Sequence, residues 1–256
     1  MLSEDFTVIA DSAKKKWGFL EKNPFGYFIS AMLAGAFVGF GILLAFTIGG
    51  LAAGSSFTRA LTGMTFGIAL SLVVFAGSEL FTGNNLVMTA GVLRKKVKFS
   101  QAIKLLLICY IGNWIGSIAV AAMYLGTGHT YGAAGEYMAQ LSLYKMNAGV
   151  MQLFWRGVLC NILVCLASWC CYRMKSETGK LIMIFWCVFA FVTAGFEHSI
   201  ANMTLFSVSM LSPLGYEITL GGYLYNLSIV TFGNMVGGIL FVALPYWIIS
   251  GRNSDS

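Results

Sequence analysis

The chain is short of charge: only 10% of its 256 residues are Asp, Glu, Lys or Arg, against about a quarter in soluble domains. Proline is limited to Pro24, Pro213 and Pro245, and histidine to His129 and His198. So little charge, with 58% of residues hydrophobic and a mean hydropathy of +0.78, excludes an ordinary soluble domain. Six cysteines (Cys109, Cys160, Cys165, Cys170, Cys171, Cys187) fall within or at the edges of apolar segments and form no paired C-x-x-C. This excludes a disulfide framework and gives no ligand-spaced metal cluster, so they read as small apolar packers, with no metal and no cofactor expected. Residues 1–22 are polar and charged, and the apolar run behind them is too long for the core of a cleavable leader.

What the chain has in abundance is long apolar windows, at residues 23–58, 60–93, 105–128, 146–172, 181–216 and 218–251. A membrane span takes about 20 apolar residues, so the pattern predicts an all-α integral membrane protein with six transmembrane helices. The cations sort by loop. Lys14, Lys15, Lys16 and Lys22 precede the first window, Arg94, Lys95, Lys96, Lys98 and Lys104 follow the second, Arg173, Lys175 and Lys180 follow the fourth, and Arg252 follows the sixth. The other side holds Arg59 and Lys145, which puts both termini in the cytoplasm of a cell-membrane protein. Topology and anionic lipid headgroups account for the net charge of +6, so nucleic acid is not an expected partner. Phe6, Ile9, Ala10, Ala13 and Trp17 share one helical stripe, which predicts an amphipathic helix lying on the membrane surface over residues 1–22.

Two stretches break the apolar rule. Residues 77–85, GSELFTGNN, put Glu79 inside the second window, and residues 195–203, GFEHSIANM, put Glu197 and His198 inside the fifth. An ionisable group at membrane depth costs roughly 3 kcal/mol or more and marks a bundle interior or a watery path. The stretches also match each other. Gly77, Glu79 and Asn84 spell G-x-E-x-x-x-x-N, as do Gly195, Glu197 and Asn202; a later G-N-x-x-G recurs as Gly112, Asn113, Gly116 and as Gly233, Asn234, Gly237. Two copies of an odd number of spans must enter the bilayer in opposite senses, so residues 23–126 and 146–251 read as inverted three-helix repeats with helices 2 and 5 interrupted.

In that arrangement Glu79, Asn84, Glu197 and Asn202 support the helix breaks, with the two carboxylates accepting from backbone N–H groups freed there. Thr82 and His198, in the two breaks, are brought together at the centre as a polar pair able to hydrogen-bond a small anion or its conjugate acid. Asn161 reads either as an interhelical hydrogen bond or as a third polar group at the centre. Lys145 reads either as an interface residue or as a cation drawing anions into a vestibule, and Arg156 reads as an anchor. His129 is expected to be exposed.

Residues 74–83 (VFAGSELFTG), 157–167 (GVLCNILVCLA) and 195–203 together resemble the signature motifs of the formate/nitrite transporter family, over essentially the whole chain and nearest to its hydrosulfide channel branch. The resemblance implies one channel domain over residues 1–256, in a homopentamer of aquaporin-like protomers embedded in lipid, each with its own pore for small monovalent anions, hydrosulfide foremost, with formate, nitrite and chloride also permeant. It implies Thr82, His198 and Asn161 at the centre, Lys145 as vestibule cation, Leu80 and Val164 as one constriction, and Phe66, Leu70 and Phe191 as the other. One departure is Glu79, where the family often has Asp. A formate or nitrite channel, or a proton symporter, is the first alternative. A neutral-solute channel is the second, but the paired Asn-Pro-Ala turns of aquaporins are absent. An enzyme is not expected, since no catalytic or ligand-spaced cluster is present.

Overall fold

A computed structural model describes residues 2–251; Arg252, counted above among the cytoplasmic cations, lies outside them. The described residues form helices joined by turns and short extended links, without a strand. In order they form α1 (Leu2–Lys22), α2 (Pro24–Leu51), α3 (Thr58–Phe75), α4 (Phe81–Leu93), α5 (Phe99–Gly126), α6 (Ala133–Met146), α7 (Val150–Arg173), α8 (Glu177–Thr193), α9 (Ser199–Leu211) and α10 (Leu220–Gly238). A π turn over Ile239–Ala243 joins α10 to α11 (Leu244–Ile249). Five stretches are long and apolar enough to cross a bilayer: α2, α3, α5, α7 and the composite from Leu220 to Ile249. The 17-residue α8 and the 13-residue α9 each fall short alone.

Local chemistry sets the helix ends. Asn23 caps α2 by accepting from Gly26 N at 2.9 Å, and Pro24 fills the first helical position, where no N–H is needed. The glycines of the two G-x-E motifs end α3 and α8. Gly77 and Gly195 adopt φ of +75° and +77°, left-handed values that a Cβ disfavours. Behind them Ser78 N donates to Val73 O and Phe196 N to Phe191 O, closing the same C-terminal turn twice. The chain then runs extended to Leu80 and His198, the residues immediately before α4 and α9.

Two close helix crossings flank these extended links. α2 packs on α5, and α7 on α10. The glycines of each G-N-x-x-G motif make the approach: Gly112 faces Ala31 and Gly116 faces Met32 O, while Gly233 faces Phe154 O and Gly237 faces Val158 O. A Cβ at any of them would meet these atoms, and small residues are what lets helix backbones approach this closely. The outer faces of the long helices stay apolar, as with Leu107, Ile111, Ile115 and Ile118 on α5, all exposed.

The first helix corrects one expectation. Its stripe of Phe6, Ile9, Ala10 and Ala13 is fully buried, and α1 packs chiefly on α4, so the stripe lies against protein instead of a membrane surface. Amphipathicity specifies an apolar neighbour without saying whether lipid or protein provides it. Here Gly91 of α4 leaves the space that Ala13 fills.

Candidate functional site

The α3–α4 and α8–α9 links are built from matching parts. In the first, Asn113 Nδ2 donates to Ala31 O (2.7 Å) and Glu79 O (2.8 Å), and its Oδ1 accepts from Phe81 N (2.9 Å). In the second, Asn234 Nδ2 donates to Gly157 O (2.8 Å) and Glu197 O (2.9 Å), and its Oδ1 accepts from Ser199 N (3.0 Å). The extended segments dock by Glu79 N to Ser30 O and Glu197 N to Arg156 O. The free backbone groups of each link are thus satisfied largely by the asparagine of G-N-x-x-G, whose repetition is visible in the sequence while its partners are not.

The carboxylates do something other than expected. Glu79 accepts from Lys16 Nζ (2.6 Å), Asn84 Nδ2 (2.9 Å) and Tyr27 OH (3.2 Å). Glu197 accepts from Lys145 Nζ (2.8 Å) and Asn202 Nδ2 (2.7 Å), and Lys145 also donates to Asn202 Oδ1 (3.0 Å). Backbone capping by Glu79 and Glu197 is therefore corrected to a lysine–carboxylate–asparagine cluster on each side. The reason is charge: a buried carboxylate is best met by a cation, and α1 and α6 each bring one. Lys16, one of three consecutive lysines, is the counterpart of Lys145.

Between the clusters lies a narrow chamber. A cavity of about 150 Å³ at the Lys145 end and one of about 600 Å³ at the Lys16 end meet at a space of only about 10 Å³, room for a single water. Its wall brings together Phe66, Leu70, Leu80, Val164 and Phe191, all five residues expected at constrictions, with His198 as its one polar side chain among the described residues. The chamber shares Phe66, Phe191 and His198 with the first cavity, and Leu70 and Leu80 with the second. Phe66 and Phe191 meet edge to face at 6.1 Å, and the His198 ring stacks on Phe191 at 6.0 Å.

Hydrogen bonds fix the state of His198. Its Nδ1 accepts from Ala201 N at 3.1 Å, capping α9, so in the neutral ring the proton sits on Nε2. Nε2 lies 3.1 Å from Thr82 Oγ1, and the N–H therefore donates to that oxygen, leaving the Thr82 hydroxyl hydrogen free. Leu80, at the matching position before α4, offers no such cap. Thr82 and Asn161 are both fully buried and absent from the chamber wall. Asn161 Nδ2 donates to Thr82 O (3.3 Å) and Asn234 O (2.7 Å), tying the two breaks together from behind. His129 is exposed, as expected.

Paired cavities converging on one narrow, mostly apolar chamber inside a bundle of bilayer-length helices define a membrane transport protein. The formate/nitrite transporter family model matches residues 3–248, and the chain belongs to that family. It is 41% identical to the nitrite transporter NirC of Escherichia coli over 248 residues, 96% of this chain and 92% of that protein. It is 36% identical to the uncharacterised transporter YwcJ of Bacillus subtilis, covering 98% and 99% respectively. Among solved structures it resembles an FNT family ion channel (TM-score 0.92, 40% identity, covering 96% of this chain and 98% of that one). It also resembles a pentameric formate channel with formate bound (TM-score 0.78, 30% identity, covering 90% and 98%). The chain is accordingly a multi-pass membrane protein whose relatives are transporters and channels.

Proposed function

We propose that the chain forms a channel for small monovalent anions of weak acids, nitrite and formate foremost, through a pore in each protomer of a homopentamer. Residues 23–126 and 146–251 act as two inverted three-span repeats of one channel domain. α3 with α4 and α8 with α9 serve as the interrupted spans, and α1 covers the inner mouth. The asymmetric distribution of Lys and Arg supports cytoplasmic termini in the cell membrane. The Lys16 cavity then opens inward and the Lys145 cavity outward.

The observation that carries the reading is the Thr82–His198 contact beside a chamber otherwise lined by hydrocarbon. A bare anion meeting only apolar side chains pays a large desolvation cost. Entering between these two residues, it takes His198 Nε2–H and the Thr82 hydroxyl as two donors, in exchange for the single hydrogen bond they make to each other. Leu80 and Val164, with Leu70, which lines the inward cavity instead of the outer one expected for it, and Phe66 and Phe191 on the outer side exclude hydrated ions. Hydrosulfide is a second reading, favoured by a chamber no wider than one water-sized particle.

Flux into proteoliposomes tests the assignment. Losing one hydrogen bond to an anion costs about 1.5–3 kcal/mol, so Thr82→Val and His198→Phe are expected to slow nitrite, formate and hydrosulfide by about tenfold or more. Unchanged flux in both variants would sink the central pair, and water flux exceeding anion flux would favour a neutral-solute channel.

A further inference from the structure

The Lys145 cavity is lined by three cations, Arg59, Lys145 and Arg156, and by one carboxylate, Glu197. Lys145 is already committed, with Glu197 at 2.8 Å and Asn202 at 3.0 Å. The two guanidiniums are not neutralised. Arg156 donates through Nη2 to Tyr144 OH at 3.2 Å and lies 5.8 Å from that ring's centroid, with no carboxylate partner among the described residues. The Arg59 guanidinium lies against Gly195, its Nη1 3.7 Å from where a Cβ would stand, and no acidic side chain pairs with it among the described residues. The Arg156 backbone carbonyl holds Glu197 N and the Arg59 guanidinium abuts Gly195, while the Arg156 guanidinium lies on Tyr144, at another part of the same cavity lining.

Two cations that line one cavity and have no acidic partner among the described residues leave a place for an anion. Their chemistry also selects among anions. A guanidinium is a rigid planar fork whose parallel N–H groups match two oxygens on a planar ligand, whereas an ammonium is a point charge that treats a sphere and a fork alike. We propose that Arg59 and Arg156 form an anion-loading site in the Lys145 cavity that takes planar two-oxygen anions, the class of nitrite and formate, in preference to spherical ones. Lys145 then serves to hold Glu197 and the second helix break, and selection starts before the chamber is reached.

The inference rests on the channel reading and deepens it, and its test separates the two. The full-length protein in liposomes is assayed for concentration-dependent uptake of nitrite, formate, chloride and hydrosulfide, with Arg59→Lys, Arg156→Lys and the double Arg→Gln variant. The lysine variants keep the charge and lose the fork. They are expected to raise the half-saturating concentration for nitrite and formate by about tenfold while leaving chloride and hydrosulfide within about twofold. The double Arg→Gln variant is expected to weaken all four anions. If the lysine variants handle nitrite and formate as the native protein does, or weaken all four anions equally, the loading site is refuted and the arginines serve only as charge or as interface anchors. If the native protein carries none of the four, the channel reading itself fails.

Discussion

Asn234→Ala tests whether the helix break at His198 is held by an asparagine. The substitution removes both donors and the acceptor at once. Gly157 O lies within α7, but Ser199 N and Glu197 O lose the side-chain partners that the break provides for them. Each buried backbone group left unpaired costs about 1–3 kcal/mol, giving about 2–6 kcal/mol for the pair. Asn113→Ala makes the matching cut in the first break and is expected to cost less. There Cys109 Sγ, 3.1 Å away, still donates to Glu79 O, so Phe81 N alone is stranded. Asn234→Asp keeps the acceptor for Ser199 N but sets a carboxyl group against two carbonyl oxygens, and is expected to rescue nothing. Reversible unfolding of the purified protein in mixed micelles measures all three. A loss below about 0.5 kcal/mol for Asn234→Ala, in the range of neutral surface changes, would refute the account, as would native stability in Asn234→Asp or a larger loss at Asn113 than at Asn234.

The ion pairs and the glycine turns give two further expectations. Lys145→Met strands Glu197 as an unpaired buried charge and should destabilise by about 3–5 kcal/mol, while Lys145→Met with Glu197→Gln should recover most of that loss. A double-mutant cycle showing no coupling would separate the two side chains energetically. Gly77→Ala and Gly195→Ala force a Cβ onto left-handed φ and should each cost about 1–2 kcal/mol in the same unfolding assay; tolerance at both positions would mean that the breaks do not depend on these turns.

The sequence by itself determined the membrane class, the all-helical architecture and the two glycine turns at Gly77 and Gly195. Those properties are local: they follow from apolar runs of bilayer length, a glycine that ends a helix, and an acid that apolar surroundings cannot hold unpaired. The family was legible too, because its motifs sit where backbone geometry leaves few choices. The Thr82–His198 pairing could be anticipated, since repetition implies which positions meet at the centre. Other features needed the tertiary structure, because a partner far along the chain is not encoded in a residue's own surroundings. Lys16 and Glu79 are 63 positions apart and Asn234 and Glu197 are 37 apart; nothing nearby in sequence marks one lysine in a row of three, or one asparagine in a glycine motif, as the partner of a particular break. The same limit explains why the α1 stripe was assigned to lipid when α4 covers it. It also explains why the sequence leaves Lys145 open to meet an anion: only the fold shows that Glu197 occupies it, while Arg59 and Arg156 have no acidic partner among the described residues.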